Sequence, residues 1–198
     1  MEYFAQHAGW PIAIMAVLMT YGAVIDGWKL KVPNAITYPM IVSGWLWWLV
    51  ESLRHGQWSL FGTSVAATFV AGIPLLLMWR IGFMGAGDVK LYAGFGAWMT
   101  PVGNFGYEHL AWAFGYSVVL GGIMGAAMIA MAGQPLVNLE NAQEALNDIA
   151  VGGGADEIRR KALVRKKRNQ LLPYGVPLTI GSLAYVAILF STWRAAGM

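Results

Sequence analysis

Of 198 residues, 58% are hydrophobic and only 12% charged, and the mean hydropathy is +0.54, a balance that excludes an ordinary water-soluble domain and fits a polytopic membrane protein. A net charge of +3 calls for no nucleic-acid partner, since a bias of basic residues toward one side of a membrane accounts for it. The absence of cysteine excludes disulfides, thiol nucleophiles and cysteine-ligated zinc or iron-sulfur sites.

The N-terminus carries Glu2 and no basic residue ahead of its apolar body, so it lacks the positive region of a signal peptide and reads as an uncleaved first span. Six apolar segments follow in order, about residues 10–25, 35–50, 60–79, 89–105, 110–132 and 176–193. Each is near the ~17 to 25 residues that cross a bilayer core as a helix, the first, second and fourth at the short end. The fourth also contains Lys90, three glycines and Pro101, a composition compatible with a re-entrant segment. Basic residues decide between the two. With six spans, Lys29, Lys31, Arg80, Lys90 and the cluster from Arg159 to Arg168 fall on one side, and only Arg54 and Arg194 on the other. Lys and Arg collect on the cytoplasmic side, so six spans with both termini outside is the expected topology. The predicted fold class is therefore all-α, a single membrane-embedded domain over residues 1–198 whose partner is the lipid bilayer.

One long charged loop, 133–172, is inserted between the fifth and sixth helices. Leu139, Ala142, Leu146 and Ile149 recur at helical spacing, and Gly152, Gly153 and Gly154 then break the pattern. The basic stretch after them reads as a helix that rests on anionic headgroups, docks a partner, or simply anchors the topology.

Ten acidic residues narrow to two. Glu140, Glu144, Asp148, Asp156 and Glu157 lie in the long loop, Glu2 is terminal, and Glu51 and Glu108 sit at outer span ends. Asp26 closes the first span and Asp88 opens the fourth, which puts both at one depth on the cytoplasmic side. A carboxylate there is costly unless paired or hydrated. Each alone could cap a helix end or pair with Lys29, Lys31 or Lys90. Together they have a chemistry: two close carboxyls share a proton, one acting as base toward water and the other as acid toward a scissile carbonyl. Helix-end fields favour the anion at Asp88 and disfavour it at Asp26. Gly85 and Gly87, beside Asp88, permit positive φ or close approach of a second backbone, such as an extended substrate. There is no HExxH and no GxSxG elbow. His7, His55 and His109 fall in outer segments without a second ligand at metal spacing, so neither metal nor cofactor is expected. Gly121 and Gly125 suit close helix packing.

Three stretches carry a family resemblance. Gly85-Ala86-Gly87-Asp88-Val89-Lys90 resembles the GxGD motif, in its GxGDxK form, of the type IV prepilin peptidases, membrane aspartic proteases. The run from Asp26 through Lys29 and Lys31 to Pro33-Asn34 is similar to that family's first-aspartate segment, and Pro173-Tyr174-Gly175 resembles its PYG opening of the last helix. The resemblance implies cleavage of the basic leader of prepilins at the cytoplasmic face of the bacterial inner membrane, in pilus assembly and secretion. Asp26 and Asp88 carry over as the catalytic pair and Gly85 and Gly87 as shapers of the second motif, while Lys90, Pro33 and Asn34 match without an assigned chemistry. Larger members add a cysteine-bearing cytoplasmic domain and N-methylate the new terminus; this chain has no cysteine and no room for that domain. The compact form looks like the peptidases of the tight-adherence (Flp) pilus systems, acting as peptidase only. The alternatives are another GxGD protease, acting on preflagellins or signal peptides, or a small transporter or non-catalytic pilus assembly factor.

Overall fold

A computed structural model of the chain describes residues 9–80, 84–102, 105–131, 147, 160 and 173–195. Apart from Asn147 and Arg160, the 133–172 loop and its two expected helices lie outside the described residues, as do Glu2 and His7. Among the described residues the regular elements are all helices: α1 Gly9–Lys29, α2 Asn34–His55, α3 Trp58–Arg80, α4 Ala86–Met99, α5 Tyr107–Met131 and α6 Gly175–Ala195. The six helices sit where the six apolar segments predict them.

Four of them, α1, α3, α5 and α6, are long and apolar enough to cross a membrane. Their outward faces carry Val17, Phe69, Leu77, Val119 and Ile123, the apolar surface that lipid tails rather than water tolerate. Serine, glycine, three tryptophans and Glu51 lower the hydropathy of α2, although its 22 residues are enough in length.

The packing is a ring with a filled centre. α1 packs on α2, α2 on α3, α3 on α5, α5 on α6, and α6 returns to α1; α4 lies inside against α1, α2, α3 and α6. This explains why α4 is apolar on every side from Leu91 onward, since a helix surrounded by others has no solvated face. Leu91, Tyr92, Phe95, Trp98 and Met99 are all among its buried residues. With 14 residues it is about 21 Å long, short of a ~30 Å hydrocarbon core. The fourth segment thus forms a short helix enclosed by its neighbours, ending at Met99 and not at Phe105.

A helix that stops inside the bundle leaves its last four carbonyls to be satisfied there. Thr100 N–H donates to Gly96 O at 3.2 Å and Val102 N–H to Met99 O at 2.9 Å. Ser64 Oγ of α3 donates to Ala97 O at 2.7 Å, and Trp48 Nε1 of α2 to Trp98 O at 3.1 Å. All four carbonyls are accounted for, which lets the chain turn at Pro101 while still buried in the bundle.

Candidate active site

Asp26 lies in the last turn of α1, buried at 3% exposure. Three residues later the helix closes: Leu30 takes φ 51° and its N–H donates to the Asp26 main-chain oxygen at 2.7 Å. The chain then passes Val32 and enters α2, where Pro33 is the N-cap and its carbonyl accepts from Ile36 N at 3.0 Å and Thr37 N at 3.3 Å. The basic, Pro-Asn-ending stretch is therefore a tight connection that starts α2 just beyond the acid.

Asp88 is the third residue of α4 and is 5% exposed. Gly85, the N-cap, donates its N–H to Asp88 Oδ2 at 3.2 Å, so the carboxylate does cap its own helix, and the N-terminal helix field favours its anion. The two acids thus come from different helices and face the same end of the bundle.

The start of α6 joins them. Gly175 N–H donates to Asp26 Oδ2 at 2.8 Å. Next to it, the Tyr174 phenol is pushed above its ordinary value, first by partial burial and then by the Asp88 negative charge. Gly175 thus contacts Asp26 and Tyr174 lies within electrostatic reach of Asp88, and α6 packs on both acid-bearing helices, α1 and α4. The PYG stretch stood out in the sequence, but nothing there assigned it a contact. The available signal was Pro173-Tyr174-Gly175 just before an apolar run, which marks a helix start whose exposed N–H groups seek an anion.

The other candidates gather around this cluster. A Cβ on Gly87 would lie 2.7 Å from Val32 O and 2.9 Å from Val32 Cβ, so the bare glycine lets the first turn of α4 sit directly on the α1–α2 connection. A Cβ on Gly85 would lie 2.8 Å from Asp88 Oδ2. Lys90 Nζ donates to Asn34 Oδ1 at 2.8 Å and stands 4.5 Å from the Tyr38 ring centroid, tying the start of α4 to the start of α2. Two expectations change. Neither Gly85 nor Gly87 adopts positive φ; among the described residues only Leu30 and Gly56 do. The close approach at Gly87 is made by the chain's own Val32. Nor is there a one-sided helix field, because α6 turns its N-terminus onto Asp26 as α4 does onto Asp88.

The described histidines stay away. His55 Nε2 lies 3.2 Å from Glu51 Oε2, and His109 Nδ1 lies 2.5 Å from Tyr185 Oη within an aromatic group that includes Phe105 and Trp193. Both belong to the opposite end of the bundle.

What the cluster can do chemically is hold two carboxyl groups, each fixed through one oxygen by a helix N-terminus, beside a partly exposed phenol. No curated protein and no solved structure matches the chain. The type IV leader peptidase family model matches residues 13–132, more than half of the chain and both aspartates with it, so the protein belongs to the type IV leader peptidase family.

Proposed function

We propose that the protein is an aspartic endopeptidase that removes the leader from type IV prepilins of the Flp kind, with Asp26 and Asp88 as its acid-base pair. The observation that supports this most is the convergence of two buried aspartates, 26 and 88, on the start of α6, although they sit on separate helices. Two neighbouring carboxyls do not ionise together readily and so share one proton. The ionised member takes a proton from water as that water attacks the scissile carbonyl, and the protonated member donates to the carbonyl oxygen. Collapse of the tetrahedral intermediate transfers a proton to the departing amine and releases both peptide ends, with no covalent enzyme intermediate. Because both acids accept from helix N-termini, the field does not assign base and acid, and the pair titrates as a unit.

The remaining parts of the reading follow from the position of this pair. Lys29, Lys31, Arg80 and Lys90 share its end of the bundle, so by the positive-inside bias that end is cytoplasmic, in a bacterial inner membrane. The whole chain acts as one membrane-embedded peptidase domain with the 133–172 loop as a cytoplasmic insertion. It lacks N-methyltransferase activity. Gly85, Gly87, Pro33, Asn34 and Lys90 hold the two acid-bearing segments together.

Co-expression with a candidate prepilin tests the pair. Asp26→Asn and Asp88→Asn variants that reach the membrane in parental amounts should each lose processing by at least about 1000-fold. Mass spectrometry of the mature pilin from the parental enzyme should show a free, unmethylated N-terminus. Parental cleavage by either variant would remove the paired-aspartate mechanism.

A further inference from the structure

We infer that Gly175 is a positioning residue for Asp26: its main-chain N–H and its missing side chain let the first turn of α6 hold that carboxylate in its working orientation. The inference rests on the reading of Asp26 as one of the catalytic acids. Three observations carry it. The 2.8 Å bond from Gly175 N to Asp26 Oδ2 joins residues 149 positions apart, so it exists only through the packing of α6 on α1. A Cβ at Gly175 would lie 2.9 Å from Asp26 Oδ2, 3.0 Å from its Cβ and 3.1 Å from its Cγ; any side chain there meets the carboxylate itself. And α6 is not free to retreat. Leu178 N–H donates to Tyr174 O at 3.1 Å and Val176 N–H to Pro173 O at 3.1 Å, closing the turn, while Thr179 Oγ1 donates to Met19 O of α1 at 3.3 Å.

The first N–H groups of a helix have no partner within it. In α6 one of them is used by a side chain from another helix, so Asp26 serves as an N-cap supplied from a distance. The bond and the helix field both favour the ionised carboxylate.

The test uses the full chain in detergent with a prepilin substrate. Gly175→Ala should lower kcat by roughly 100-fold, as a misplaced catalytic group does, with KM nearly unchanged. Gly121→Ala, where a new Cβ would make an ordinary 3.6 Å contact with Pro177, should cleave as the parent does. A second measurement needs no substrate. Gly175→Ala should lower the melting temperature of the parent but much less that of Asp26→Gly, which lacks the atoms the new methyl meets. Parental kcat in Gly175→Ala, or an equal loss of melting temperature in both backgrounds, would overturn the inference. If Gly175→Ala alone does not accumulate, the double variant with Asp26→Gly should; its failure to do so would overturn the inference as well. Coupling in the melts together with an active Asp26→Asn variant would sink the catalytic reading and leave the positioning contact standing.

Discussion

Leu30 shows how local chemistry and the site meet at a single residue. It is 46% exposed and holds φ 51°, a left-handed conformation that an L side chain adopts at a cost of roughly 1 to 2 kcal/mol. The conformation lets its N–H close the last turn of α1 on the main-chain oxygen of Asp26, as glycine commonly does one position past a helix end. Leu30→Gly should therefore raise stability by up to about 1 kcal/mol, whereas Leu30→Val, branched at Cβ, should lower it. Reversible unfolding in mixed micelles measures both. A loss of stability in Leu30→Gly would mean that the side chain's contacts outweigh the strain.

At the level of the element, α4 decides the architecture. Its length falls short of the bilayer, its residues from Leu91 to Met99 are all buried, and its C-terminal carbonyls are taken by Ser64 and Trp48 from two neighbours. Close packing is the condition for this. A Cβ at Gly96 would lie 2.6 Å from Ala67 O and 2.9 Å from Ala71 Cβ, with backbone on one side and no flexible side chain to give way. Gly96→Ala should cost about 1 to 3 kcal/mol by overpacking. Gly62→Ala on the outer face of α3, where a Cβ would meet nothing within 4 Å, should be neutral or stabilise by up to about 1 kcal/mol. Melting curves of the two variants beside the parent check the contrast, and equal effects would contradict the tight α3–α4 crossing.

For the whole molecule, the ring of five helices around α4 gives two unlike ends. One end holds Asp26, Asp88, Asn34, Lys90 and the start of α6. The other holds Glu51, Arg54, His55 and the aromatic group around His109. Because the chain contains no cysteine, a single introduced thiol reports the side cleanly. Gln57→Cys, in the exposed α2–α3 connection, should react with an impermeant maleimide in intact spheroplasts, while Lys31→Cys, exposed between α1 and α2, should react only after lysis. The opposite pattern would reverse the assigned topology.

The apolar segments, the positive-inside count and the two isolated aspartates were legible from the residues, because hydropathy and charge placement act locally along the chain. The GxGD and PYG stretches were legible as motifs. Their contacts were not: periodicity does not say which helices touch. That Asp26 leans on Gly175, that Gly87 faces Val32 and not open space, and that Lys90 reaches Asn34 depend on partners 149, 55 and 56 residues away. The expected difference in helix field between the two acids failed for the same reason, since it counted only each aspartate's own helix. Sequence by itself determined that this protein lies in a membrane as a set of helices with two carboxyls near one end. Tertiary packing alone decided that α4 stops short inside the ring and that α6 supplies the second helix N-terminus, because both rest on hydrogen bonds between segments far apart in the chain.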